Sequence, residues 1–326
     1  MPASTETDHA GPGRAPVRPV DLGLNAEART AAADDPPAVH VRAKIDEQLR
    51  ALLEHEAVAR VGEDPEGVHQ MRVAVRRIRA ALKADGAGLG PAATELQTEL
   101  RWLGSMLGAV RDIDVQLEHL RGQAAEFEPD ERAAVERLLL GLRADRRRAR
   151  QRMLGALRSR RYTALLEGLA AAARTPAPLD GNVVVGKPAI ASLLELIKRP
   201  YRKLSRAAAA LGADPADDDL HALRIYSKRL RYAAELAAPA GGKPVRRLIR
   251  ATRQMQDVLG DHQDAVVAEQ QVRRLLAELG DVLDADVAFA AGRLVERERA
   301  RRADCRSRWR TTVAEVDARA MELLAG

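Results

Sequence analysis

Cysteine is almost absent: Cys305 is the single one in 326 residues, which excludes an intrachain disulfide and fits a reducing compartment. Aromatic side chains are equally scarce, with 2 Trp, 4 Tyr and 2 Phe. That leaves too few for a platform on which splayed bases stack, as single-strand nucleic-acid binders use. No charge-free apolar run approaches the roughly 18 residues that a spanning helix needs, and the start, Met1 to Pro19, lacks the apolar core of a signal peptide. The expectation is a soluble, cytoplasmic protein with no membrane contact. Runs of β-branched residues are missing apart from Asn182 to Val185, too short to found a sheet. No Walker loop, Cys/His cluster or nucleophile-base-orienter set is present. The expectation is therefore a protein that is not an enzyme and uses no cofactor and no metal.

What is abundant is Ala, Leu, Arg and Glu with a 3.6-residue period, which predicts an all-α fold. Helices are expected over 39–61, 66–84, 91–122, 129–157, 159–173, 188–211, 216–238, 243–279 and 283–324. Asp64-Pro65 and Asp214-Pro215 have the cap-then-proline pattern of helix starts. Residues 1–38 hold six of the 16 prolines and no apolar periodicity, so a disordered tail is expected there. A Pro/Gly-rich stretch divides the rest into a first half, 39–174, a linker, 175–187, and a second half, 188–326. The formal charge is +6. The tail has six acids and three bases, so the body carries +9 and a polyanion is the natural partner class.

The two halves repeat. Shifted by 152 residues, VHQMRVAVRRIRA (68–80) lies over LHALRIYSKRLRY (220–232), and without a gap Arg101 falls on Arg253, Leu107-Gly108 on Leu259-Gly260 and Asp112 on Asp264. A constant offset over roughly 50 residues reads as an internal duplication.

His69, Arg72, Arg76, Arg79 and Lys83 fall within an arc of about 80° on one helix face, beside the apolar stripe of Val68, Met71, Val75, Ile78 and Leu82. No acid occurs from 69 to 84, so the i, i+4 compensation of a solvated helix is missing. The second copy repeats the stripe with His221, Arg224, Lys228 and Arg231. Paired about a pseudo-twofold axis, the two stripes would line a groove suited to a long polyanion. On the next helix of each half, Asp112 and Asp264 are expected to pair with the stripe arginines and orient them, while Gly108 and Gly260 are expected to let another helix approach closely. Arg199, Arg202 and Arg206 form a second basic tier, a secondary binding candidate or an ordinary solvated face. Asp261-His262 and Asp264 are sent to different faces by the helical spacing, so no site is expected there.

Glu66-x-x-His69 and Asp218-x-x-His221 have the spacing used in di-iron bundles, but Arg72 and Arg224 one turn away would repel a dication. Nucleic-acid binding and docking of an acidic protein by a helical scaffold are the alternatives that basic helices leave open.

VHQMRVAVRRIRAALK (68–83), LGAVRDIDV (107–115), HALRIYSKRLRY (221–232) and LGDHQDAVV (259–267), in this order, resemble the CHAD family, the conserved histidine α-helical domain. The resemblance covers residues 39–326. It implies two pseudo-symmetric four-helix bundles with a basic surface that binds inorganic polyphosphate, often at polyphosphate granules. In some relatives the domain follows a CYTH triphosphate-tunnel domain. The 38 residues ahead of it here are too few for that domain and lack its Glu-x-Glu-x-Lys pattern, so a fused enzymatic function is not expected. Gln263 stands where the first copy has Arg111, so the copies are not expected to bind equally.

Overall fold

A computed structural model describes residues 17–85, 92–174, 189–280 and 284–325. The fold is all-α. After a 3-10 turn at Pro19–Leu22 come α1 (Pro37–Val61), α2 (Pro65–Asp85), α3 (Ala92–Ala124), α4 (Pro129–Leu138), α5 (Leu140–Arg158) and α6 (Arg160–Arg174). The second half has α7 (Ala189–Ala209), α8 (Asp217–Leu279) and α9 (Ala285–Ala325). α8 is two helical arms joined at Gly242, whose φ of 57° and ψ of −144° break the helix between Pro239 and Pro244.

Several helix ends have visible causes. The Glu66 N–H donates to Asp64 Oδ1 at 2.7 Å, capping α2 as the sequence predicts. Asp214 does not cap α8. The helix begins at Asp217, the Ala216 N–H donates to Asp219 Oδ2 at 3.3 Å, and Asp214 is taken by Arg306 of α9. α1 ends at Gly62 with φ of 77°, and the Arg150 guanidinium of α5 donates to the freed carbonyls of Arg60 and Val61 at 2.6 and 2.7 Å. A Cβ on Gly67 would meet the backbone of Ala59 and Val58, so glycine lets α2 cross α1 closely.

The starts of α2 at Pro65 and of α8 at Asp217 keep the 152-residue offset. This supports the duplication read from the sequence. The copies diverge late, where α9 runs unbroken through the region that α4, α5 and α6 occupy in the first half. Each half has its own core. Leu49, Leu52, Met71, Ile78, Leu100, Leu103, Met153 and Leu169 belong to the first. Leu193, Ile197, Leu230, Leu248, Met255, Trp309 and Val316 belong to the second. A third core belongs to both: Leu120, Phe127, Val135 and Leu138 pack with Val272, Leu275, Val287 and Leu294. α4 packs against α9 in this core and α2 packs directly on α8, which fixes the two basic helices relative to each other.

The expected disordered tail needs correction for residues 17–36. Leu24 is buried in the first core. Arg50 of α1 donates to the carbonyls of Asn25, Ala26 and Glu27 at 2.8, 3.1 and 3.1 Å, and the Arg29 N–H donates to Asp46 Oδ2 at 2.5 Å. One arginine satisfies this irregular backbone, an arrangement without periodicity in the sequence. Residues 1–16 and the linker, 175–187, lie outside the described residues. No described helix is long and apolar enough to cross a membrane.

A buried polar knot ties α1 to α6. The Tyr162 hydroxyl donates to Glu56 Oε2 at 2.8 Å and Arg60 Nε to Glu56 Oε1 at 2.7 Å. Tyr162→Phe leaves a buried carboxylate oxygen short of a donor and is expected to cost about 1–2 kcal/mol. The check is denaturant unfolding, with a lower midpoint and an unchanged slope.

Candidate polyanion site

α2 and the first arm of α8 bring their stripes to one cavity of about 440 Å³, whose far wall comes from α3 and the second arm of α8. Of the residues singled out in the sequence, His69, Arg72, Arg76, His221, Arg224, Lys228, Asp112 and Asp264 line it. Arg79, Lys83 and Arg231 do not. They lie farther along the same helices, beyond the end of the cavity. Arg231 instead has its Nε 3.7 Å from Glu235, and its guanidinium lies 5.2 Å from the Tyr232 ring centroid. Arg199, Arg202 and Arg206 are exposed on α7 outside the cavity, with Arg206 Nε donating to the Arg202 carbonyl at 3.3 Å.

Arg72 pairs with Asp112 across α2 and α3, the orienting contact expected from the sequence. The matching pair in the second copy is looser. Among the described residues no carboxylate lies within 4.0 Å of the Arg224 guanidinium, and Asp264 only feels its field. Gly108 and Gly260 have a different reason from the expected helix approach. Their Cα positions face guanidinium groups: a Cβ would lie 3.7 Å from Arg72 Cζ at Gly108 and 3.5 Å from Arg224 Nε at Gly260. Glycine gives each arginine a bare helix surface along which to lie.

The cavity wall also includes Arg111, Gln116, Gln263 and His119. Arg111 had a signal in its LGAVRDIDV motif. His119 had none, because Gln271 stands at the repeat-related position. Its Nε2 lies 2.5 Å from Glu298 Oε1, and Arg301 Nη1 lies 3.3 Å from the same ring. Arg301, in the Arg-rich stretch 293–310 of α9, therefore backs the cavity wall. Asp261 pairs with Arg301 at 2.7 Å, while buried His262 has its Nε2 3.1 Å from Asp217. These neighbours in sequence do go to different partners.

Positive charge dominates this space. Burial, and then the fields of Arg224, Arg76, Arg72 and Arg231, push the Lys228 ammonium down to about 7. Arg76 is lowered mainly by burial and then by Arg72, Arg231 and Arg224. Burial and Arg111, Arg76 and Arg72 hold the His69 imidazole below its ordinary value, against the pull of Glu66. Burial raises Asp264 above the usual carboxylate range, opposed by Arg224 and Arg301. Among the described residues, the buried Nε atoms of Arg76 and Arg224 and Nδ1 of His221 find no hydrogen-bond partner. Such desolvated donors cost free energy until an acceptor reaches them. Among the described residues no group of His, Cys, Asp and Glu could hold a metal ion.

The CHAD domain family model matches residues 43–273. Two uncharacterized proteins from two strains of Mycobacterium tuberculosis are 32% identical over 259 residues, 77% of this chain and 48% of each relative. The chain thus spans about half the length of the curated relatives it matches. Among solved structures, the CHAD domain from the plant Ricinus communis matches with a TM-score of 0.72 and 30% identity, covering 93% of this chain and 97% of that one. PptA from Streptomyces chartreusis shares the fold, with a TM-score of 0.63 and 21% identity over 85% of this chain and 99% of that one. With its helices, its two basic stripes and the family model in agreement, the chain belongs to the CHAD domain family.

Proposed function

We propose that this protein binds inorganic polyphosphate in the cavity between α2 and α8, without cleaving it. The observation that carries this reading is charge without compensation. Arg72, Arg76, Arg111, Arg224 and Lys228 share a space with two carboxylates, one of them already paired with Arg72. A chain of phosphates would bring oxygens to the unpartnered Nε atoms and restore the ammonium of Lys228. Membership in the CHAD family supports the same ligand, since a basic polyphosphate surface is what the resemblance implied. Among the described residues no Trp, Tyr or Phe lines the cavity, which favours a bare phosphate chain over single-stranded nucleic acid.

Titration with long-chain polyphosphate, using DNA and heparin as competitors, tests the reading. Neither competitor is expected to displace polyphosphate at equal charge concentration, and the recovered polymer is expected to keep its length. Displacement by DNA at equal charge concentration would assign the cavity to another polyanion, and shortened polymer would make the protein an enzyme. The same reading places the protein in the cytoplasm at polyphosphate granules, where a fluorescent fusion should concentrate only in cells that make the polymer.

A further inference from the structure

We infer that polyphosphate leaves the cavity in one direction only, over a basic tail site formed by Lys83, Arg229, Lys203 and Arg199, and that Glu235 closes the pseudo-equivalent direction. The inference rests on the polyphosphate reading above and adds a polarity to it. The two exits are related by the 152-residue repeat. Lys83 corresponds to Glu235, Arg229 to Arg77, Arg199 to Glu47 and Lys203 to Ala51. On one side the charge is therefore all positive, and on the other it alternates.

The contacts follow that difference. Glu235, half-buried, gathers Arg77, Arg231 and Arg253 at 3.8, 3.7 and 3.6 Å, and Glu47 takes Lys44 at 2.6 Å. The Glu235 carboxylate offsets part of the charge of these three arginines. On the Lys83 side, Lys203 Nζ and the Arg229 guanidinium lie 5.0 and 5.6 Å from the centroid of one ring, Tyr226. Lys83, Arg229, Lys203 and Arg199 are exposed, and none has a carboxylate within 4.0 Å among the described residues. Their mutual repulsion, led by Arg229 and followed by burial, Lys203, Arg79 and Arg199, holds the Lys83 ammonium below its ordinary value. Lys83 lies seven residues beyond Arg76 on α2, about 10 Å along the axis at 1.5 Å per residue. A short phosphate oligomer seated on Arg76 and Arg224 stays in the cavity, whereas a long one continues over Lys83.

The test measures affinities for tripolyphosphate and for long-chain polyphosphate. Lys83→Glu with Lys203→Glu is expected to weaken long-chain binding by tenfold or more and leave tripolyphosphate binding unchanged. Glu235→Gln is expected to tighten long-chain binding several-fold, again without effect on tripolyphosphate. Equal losses on both lengths, or no loss on long chains, overturn the tail site. Unchanged or weaker long-chain binding in Glu235→Gln overturns the closure. Lys83→Gln with Lys203→Gln gives the same readout with milder changes, should the reversed pair melt early. A wild-type protein that binds neither length would defeat the polyphosphate reading itself, a result distinct from all of these.

Discussion

Replacing Arg76 and Arg224 together by glutamine is expected to lower the affinity for long polyphosphate by at least a hundredfold, while the free protein melts at the same or a higher temperature. Both guanidinium groups line the cavity and each has a buried Nε without a partner among the described residues. In the complex each gains a hydrogen bond to a charged group, worth about 1.5–3 kcal/mol, so the pair contributes about 3–6 kcal/mol, or roughly two to four powers of ten. In the free protein they contribute repulsion. Burial and three neighbouring arginines already lower Arg76, and removing two charges relieves that field. Loss of function with retained or increased stability is the signature of a site whose charges serve a ligand rather than the fold. The control is Arg152→Gln with Arg158→Gln, which removes the same charge from exposed positions outside the cavity. Similar losses from the two pairs would mean that net charge alone governs binding. Counterion release makes the distinction sharper, because the slope of log affinity against log salt should fall for the cavity pair and hardly change for the control.

Lys228 gives the second large effect, a coupling between binding and pH. Its folded-state value of about 7 lies below the ordinary 10.5. Between these two values the unfolded chain holds a proton that the folded chain has released. Stability of the free protein therefore rises with pH across that window, and below about 7 the full penalty of the buried ammonium is present. Polyphosphate reverses the field around this amine, which Arg72 and Arg76 of α2, Arg224 and Arg231 of α8, Arg111 and Asp112 of α3 and Asp264 of α8 surround or share a cavity with. Binding then takes up a proton, and affinity is expected to rise as pH falls from about 9 to about 6. Lys228→Met should melt several degrees higher at pH 7, lose the rise of stability with pH, and bind polyphosphate with a flatter pH profile. Calorimetric titration in two buffers of different ionisation heat reads the proton directly. His69, lowered by burial and its arginine neighbours, accounts for the part of the profile that remains below its ordinary value of 6.5. Terminal phosphates titrate near pH 6 as well, so the measurement uses long chains with few ends. An unchanged profile in Lys228→Met would place this lysine outside the binding site.

The parts of this molecule that were legible in the sequence are those with a period. α2 and the first arm of α8 show their apolar stripe and their basic stripe at helical spacing, and the 152-residue offset ties the two together. Even the break at Gly242 falls in the gap between the helices expected over 216–238 and 243–279. What was hidden depends on long-range contacts. The tail between residues 17 and 36 is held by Arg50 and Asp46, whose side chains lie on α1 and have no local mark of this role. The third core needed the ends of α3 and α8 to meet α4 and α9, and pattern alone assigned those residues to two separate bundles. Within the cavity, spacing places His69, Arg72 and Arg76 on one face but says nothing of where that face stops being enclosed. For this reason Arg79, Lys83 and Arg231 were grouped with the cavity and found beyond it. His119 entered through a partner 179 residues away, Glu298, a distance at which sequence spacing carries no information.

The most direct measurement of the central claim is a crystal structure of the protein with bound polyphosphate. Phosphate groups are expected between α2 and the first arm of α8, within hydrogen-bond distance of Arg76, Arg224 and Lys228, with the polymer continuing toward Lys83. Phosphate density confined to outer arginines such as Arg152 and Arg158, with the cavity empty at saturating polymer, would contradict the account.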